Sequence, residues 1–499
     1  MTLLVSVANF MASFKPHAKP YERMMNMNHS MPFLRLSLLT LLLTAGSARA
    51  ENITAVRYGG DERARWEYFD HIPSKVDVPA YSRGGENDYF RFRTRLWTEL
   101  DILPSVTAKA RVVNEVRSWV YPDMSQKPQR SSSEWPDEFV FDNLYLEARD
   151  LLDKTVDIRA GRQELQYGNG RVMLDGTPGD GSRTLYFNAA KATVKSIPDS
   201  QLDLFGIYNP PEDQLAINGA QRDLSAFARA PEGVTESGAG MYLKNSTLKT
   251  LPLEAYLIFK RESAYDQPVK PDASGKFATP TYAWQTLDTS AKVLRNPDND
   301  IETAGFRLMP VFNDTLTGNL EVAGQYGQHG DTDMHGYMVD AYLAQKFASA
   351  PATPVLKGGV YLLSGDDPNT ATDEGWNPLW ARCPQSSELL VFAYDAEQSA
   401  FRWSNLINPN LSLSITPTKR TKTTATIHYL AAMEADGNGG GRERGWMGQL
   451  RQDFTLAENA LRPKDKLTTY FLLECLEPGN YYKNTDTAVF ARWEILYAF

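Results

Sequence analysis

Residues 89–102 read Tyr-Phe-Arg-Phe-Arg-Thr-Arg-Leu-Trp-Thr-Glu-Leu-Asp-Ile, and one face of the segment is Phe90, Phe92, Thr94, Leu96, Thr98, Leu100 and Ile102. The opposite face is Tyr89, Arg91, Arg93, Arg95, Trp97, Glu99 and Asp101. A period of two sends successive side chains to opposite faces of a strand. An apolar face backed by a row of charges suits a wall with lipid on one side and water on the other. The next segment repeats the arrangement. Val106, Ala108, Ala110, Val112 and Val116 share one face, and Thr107, Lys109, Arg111, Glu115 and Arg117 share the other.

The same alternation recurs over 143–149 and 156–161, then at 253–259, 320–326, 337–343, 355–363, 411–415, 421–433 and 467–476. Between these lie runs rich in Gly, Pro, Asn and Asp, such as 175–181, 366–375 and 436–441, which read as loops. No long stretch carries a helical period. The predicted fold class is all-β: a transmembrane antiparallel β-barrel over residues 89–499, in one domain. Allowing roughly 25 to 28 residues per strand with its loop, the 449 residues after residue 50 hold about 16–18 strands, with 18 favoured and an even count expected. A barrel of that size encloses an aqueous channel. The last segment places Val489, Ala491, Trp493, Ile495, Tyr497 and Phe499 on one face, with Arg492 and Glu494 on the other. That terminal aromatic resembles the C-terminal signal of outer-membrane barrels, so outer-membrane lipid and the barrel assembly machinery are the expected partners.

At the other end, Arg35 precedes the apolar run 36–45 and then Gly46-Ser47-Ala48-Arg49-Ala50. A charged residue, a short apolar core and an A-x-A site make a secretory signal peptide, expected over residues 1–50. A run of ten residues is too short for a helical span, which needs about 18 or more apolar residues. Residues 51–88 are expected to be a short periplasmic or pore-mouth segment, too short for the plug of a TonB-dependent receptor.

The 499 residues hold 52 Lys+Arg against 61 Asp+Glu. Removing residues 1–50 takes five basic and one acidic residue, leaving 47 against 60 and a formal charge of −13. That balance excludes a nucleic-acid partner, whose footprint is basic. Two cysteines, Cys383 and Cys475, exclude a disulfide framework and a four-thiolate zinc site.

Short islands resemble the alginate export family of outer-membrane porins. They are Ile158-Arg159-Ala160-Gly161-Arg162-Gln163 with Tyr167-Gly168-Asn169-Gly170-Arg171; Leu363-Ser364-Gly365-Asp366; Trp376-Asn377-Pro378-Leu379-Trp380 with Ser387-Glu388-Leu389; and Glu477-Pro478-Gly479-Asn480-Tyr481-Tyr482. A departure falls at Gly448-Gln449-Leu450-Arg451, where the family's strand carries an acidic pair. The resemblance implies a channel for an acidic polysaccharide, an alginate-like uronate polymer, or a related acidic solute, with no cofactor and no enzymatic activity.

Guanidinium groups match carboxylates bidentately, so an Arg-lined lumen suits such a cargo. The candidate substrate path is Arg91, Arg93, Arg95, Lys109, Arg111, Arg117, Arg149, Arg159 and Arg162. The bland alternative pairs these cations with Glu99, Asp101, Glu115, Glu147 and Asp157 in a charge-lined porin for small solutes. Arg162 is open between two readings. Unbroken alternation puts it on the Val156 face, whereas a bulge at Gly161 turns it inward. An outer-membrane hydrolase is the remote alternative; His428 reads as a polar lumen residue, and no G-x-S-x-G elbow occurs. His329 and His335 read as a solvated loop. Asp366, Asp367, Asp373 and Glu374 lack the spacing of an EF-hand, and no metal is assigned.

Overall fold

The computed structural model describes residues 53–75, 86–121, 133–134, 139–174, 186–211, 215, 217, 234–269, 285–381, 386–397, 403–435, 440–483 and 486–499. The expected signal peptide, the loop expected over 175–181 and Cys383 lie outside the described residues.

Eighteen strands form the wall: β1 Ala55–Asp70, β2 Asn87–Leu103, β3 Val106–Tyr121, β4 Val140–Asp150, β5 Val156–Gln163, β6 Phe187–Val194, β7 Ser200–Asn209, β8 Glu236–Asn245, β9 Leu253–Glu262, β10 Asn299–Leu308, β11 Leu316–His329, β12 Thr332–Lys346, β13 Val355–Leu363, β14 Leu406–Thr418, β15 Thr421–Ala431, β16 Glu443–Glu458, β17 Lys466–Pro478 and β18 Ala488–Ala498. Every neighbouring pair is antiparallel. β1 also pairs with β18, from Asp61↔Ala498 to Asp70↔Val489, which closes the barrel. No helix among the described residues is long and apolar enough to cross a membrane. A closed barrel needs none, because each strand satisfies its backbone groups on both neighbours.

The expected segment 51–88 is corrected here. Residues 55–70 are the first strand of the wall, in register with β2 from Ala55↔Asp101 to Phe69↔Asn87. Gly60 and the outward Glu62 interrupt the apolar face by which the strand would announce itself, while Arg63, Arg65 and Glu67 point inward. His329 and His335 are corrected too. They belong to β11 and β12, joined by the two-residue turn 330–331, and His329 is buried against Asn299 (2.7 Å) and Asp373 (3.3 Å).

Turns at the end holding Ala55 and Ala498 are two to eight residues long, whereas connections at the other end reach 42 residues, over 364–405. Short turns face the periplasm and long loops the exterior. The burial pattern is that of a soluble protein turned inside out. Phe92, Leu96, Met241, Leu257, Phe306, Leu413, Ile427 and Leu473 are exposed on the outer face, while Arg63, Arg65, Arg91, Glu67 and Glu474 are buried inside. Cys475 is on the outer face.

The C-terminus is built into the closure. Gly60 and Phe499 exchange both backbone hydrogen bonds at 2.9 Å. A Cβ on Gly59 would sit 2.4 Å from the Phe499 carbonyl oxygen, so only glycine lets the last residue lie this close. Deletion of Phe499, or Gly59→Val, is therefore expected to prevent the heat-modifiable shift of a folded barrel in membrane fractions. A normal folded fraction in both variants would refute the role of this contact.

Candidate functional site

Alternation puts the predicted cations where the sequence places them, with one exception. In the register β1–β2–β3, Arg63↔Arg93↔Glu115 and Arg65↔Arg91↔Arg117 face the lumen in rows. Arg63, Arg65, Arg91, Arg93, Arg95 and Arg492 share the carboxylates of Asp61, Glu67, Glu115 and Glu494. Arg91 meets Glu115 (2.9 Å) and Glu67 (3.1 Å), Arg93 and Arg95 both meet Asp61 (2.8 and 2.6 Å), Arg63 meets Glu115 (3.0 Å), and Arg492 meets Glu67 (2.6 Å). Lys109 pairs with Glu99 at 3.0 Å, Arg111 with Asp142 at 2.8 Å and with Glu164, and Arg149 and Arg159 both with Glu147 at 2.7 and 3.0 Å. Arg117 lies over the rings of Tyr89 and Trp119 at 4.7 and 5.5 Å.

Arg162 is the exception. It is paired with Leu144 and Asn188, in the register of outward-facing residues, and buried at the extracellular rim. Asn188 Oδ1 (3.0 Å), the Phe141 carbonyl (2.9 Å) and the Tyr186 ring (3.6 Å) hold it. Gly161 does adopt a positive φ of 127°, but the pairing remains in step, so Arg162 anchors the rim and stands apart from the lumen row.

Two extracellular connections fold into the barrel. Residues 164–174 leave β5 and reach the far wall, where Arg171 bonds Asp340 on β12 (2.8 Å) and stacks over Tyr361 on β13 (4.0 Å). Asn169 receives a hydrogen bond from Arg307 on β10 (2.9 Å). Tyr167 donates to Asp203 on β7 (3.0 Å) and stacks on Tyr242 (4.3 Å). Burial and the Asp203 carboxylate push the Tyr167 phenol well above its usual range, so it stays a donor. Burial opposes charge on Arg171, yet Asp340 and Tyr361 hold its guanidinium above the usual value. The segment is a bar across the lumen, and nothing in its sequence announces that reach.

The second connection, 364–405, carries Trp376, Leu379, Trp380 and the helix α1, Glu388–Glu397. Trp380 is fully buried against Phe187 and Lys260. Glu474 on β17 accepts hydrogen bonds from the Glu388 and Leu389 amides (3.2 and 2.9 Å) and from Ser387 Oγ (2.8 Å), capping the positive end of α1. Gln449, at the departure from the family's acidic pair, bonds Glu474 (2.7 Å) and His428 (2.9 Å), so an amide there ties helix and wall together. His428 is a buried lumen residue, its second ring nitrogen 2.9 Å from Asn408. Asp366 lies beside Asp373, and partial desolvation together with that neighbouring carboxylate pushes its carboxyl up to about 7. No metal-binding cluster occurs among the described residues.

An eighteen-stranded closed barrel with an apolar exterior, a charged interior and inward loops defines an outer-membrane porin. The comparisons agree. Residues 272–472 match the alginate export family model, so the sequence resembles that family as its islands indicate. The fold is similar to that of a BenF-like porin from Pseudomonas fluorescens Pf-5, with 9% identity, a TM-score of 0.56, and 90% of this chain and 99% of that chain covered. It is also similar to Pseudomonas aeruginosa OccK2 (10%, 0.53, covering 90% and 98%) and to OpdQ of the same organism (8%, 0.53, covering 90% and 99%). No match among curated protein sequences accompanies these. The chain has the fold of an outer-membrane porin, which places it in the outer membrane of a Gram-negative bacterium.

Arg171→Ala should release the bar, because it leaves Asp340 buried without its cation, a loss on the order of 3–5 kcal/mol. The expected outcome is a larger and noisier single-channel conductance in planar bilayers. An unchanged trace would show that the bar does not set the constriction.

Proposed function

We propose that this channel passes acidic saccharides of the uronate class, from single sugars to alginate-like chains, down their own gradient. The observation that carries the reading is the excess of guanidinium over carboxylate in the rows on β1, β2, β3 and β18, where among the described residues six arginines share four acidic groups and Glu388 of α1 adds a fifth. Such a row exchanges partners rather than freezing. A solute carboxylate replaces one protein carboxylate at a guanidinium, and the displaced group falls back on a neighbouring arginine, so the anion advances without any guanidinium being stripped bare in a low-dielectric wall. Selectivity by rings of charge follows from the same principle.

Two further observations support the cargo. Residues 272–472 resemble a family described by alginate export. The structurally similar OccK2 was crystallised in complex with glucuronate. The inward bar and α1 occupy part of the lumen, which favours short uronates over a wide polymer path.

The test is the reversal potential under a salt gradient. Despite the chain's net charge, the open pore is expected to prefer anions, because local lumen charge sets the field an ion meets. The double substitution Arg93→Glu and Arg95→Glu places two carboxylates beside Asp61 and should reduce or reverse that preference. A cation-selective wild-type pore, or a double variant with unaltered selectivity, leaves only an unselective porin.

A further inference from the structure

Among the described residues, two half-buried lysines of the lumen wall have no carboxylate within ion-pair distance. Lys244 on β8 and Lys357 on β13 both face inward and are half-buried. Among the described residues neither has an ion pair or a hydrogen bond; each instead sits over aromatic rings. Lys244 lies 5.8 Å from the ring centres of Tyr167 and Tyr242, and Lys357 lies 4.4 Å from that of Tyr342. By contrast, Arg63, Arg65, Arg91, Arg93, Arg95, Lys109 and Arg111 in the rows on β1–β3 each carry an ion pair.

The cause is visible in the partners the lysines lack. Glu254 is directly across from Lys244 in the β8–β9 register, yet its carboxylate accepts from Arg307 (2.9 Å) and from the Tyr242 hydroxyl (2.7 Å). Asp340, on the strand beside Lys357, is taken by Arg171 of the bar (2.8 Å). Arg307 in turn donates to Asn169 of the same bar. Docking of residues 164–174 thus occupies Asp340 directly, while Glu254 is held by Arg307 and Tyr242 of the wall. It leaves an ammonium on either flank, each held off the wall by an aromatic face.

We propose that Lys244 and Lys357 are anion subsites flanking the bar, each taking the carboxylate of a uronate whose sugar ring packs on the adjacent tyrosine. This deepens the uronate reading and rests on it. A solvated cation is held over a ring far more weakly than by a carboxylate, so an arriving anion needs no protein group to be displaced. That separates these two points from the row on β1–β3, where every capture is an exchange. An ammonium with a flexible stem also accepts carboxylates at several angles, which suits a solute passing through.

The experiment is current block of single channels in bilayers by sodium glucuronate, with glucose and methyl glucuronate ester as neutral probes. Wild type is expected to be blocked by glucuronate and not by either neutral probe. Lys244→Gln and Lys357→Gln are each expected to weaken the block about tenfold, the size of one hydrogen bond to a charged group, while Lys→Arg at either position keeps it. If glucuronate blocks the wild type and both Gln variants alike, the subsites are wrong and the uronate channel stands. If the ester blocks as well as the acid, the carboxylate is not what is recognised and the subsites fall, even where a Gln variant does not assemble. If wild type is neither anion-selective nor blocked, the uronate reading itself fails, and the subsites with it.

Discussion

A backbone amide in hydrocarbon has no water to turn to, and an unmet hydrogen bond there costs several kcal/mol. Everything else in this protein follows from the closure that meets this demand. Once β1 and β18 pair, no strand edge remains, and the only freedom left to the sequence is which side chain points out and which points in. Lipid selects Phe92, Leu257 and Phe306 for the outside. The interior, relieved of any need for an apolar core along its whole height, accumulates charge on β1–β3 and keeps a packed apolar cluster where the loops 164–174 and 364–405 enter.

The charge inside is arranged so that single carboxylates each serve two arginines. Glu115 serves Arg63 and Arg91, Asp61 serves Arg93 and Arg95, and Glu67 serves Arg91 and Arg492. An isolated buried pair is at best neutral for stability, because desolvation offsets the Coulomb gain. A shared lattice differs in that removal of one contact leaves another. That redundancy is what a lumen needs if solute anions are to intrude on the pairs repeatedly. It also explains why a formal charge of −13 on the chain after residue 50 says little about the pore.

Much of this was legible in the sequence where strands are long and the lumen face is unobstructed. The segments at 89–102 and 355–363 coincide closely with β2 and β13, and the inward placement of Arg91, Arg93, Arg95, Lys109, Arg111 and Arg117 follows from period two alone. The strands that escaped notice share a cause. In β8 the lumen positions Gly238 and Gly240 carry no side chain because Trp380 and Phe205 fill that space, their ring atoms lying 2.5 Å from where a Cβ would be. In β10, Gly305 makes the same room for Tyr256. Where a side chain from elsewhere packs on the wall, the wall loses the residues that would have shown the alternation. Arg162 fails for a related reason: register, which the sequence does not print, decides its face.

The loops were the least legible part, and they alter the chemistry most. Tyr167-Gly168-Asn169-Gly170-Arg171 reads as a turn, and its composition carries no hint that Arg171 crosses to β12. Gly168 and Gly170 take positive φ values of 56° and 72°, which lets the chain fold tightly enough to present Tyr167 to one wall and Arg171 to the other. The bar therefore acts on charge as well as on width. By occupying Asp340, and by holding Arg307 beside Glu254, it converts a stretch of balanced wall into one with surplus ammonium groups. A loop that only narrowed the lumen would be interchangeable with any other bulky insertion. This one also decides which wall charges remain available to a solute, so its sequence is constrained by electrostatics as well as by width.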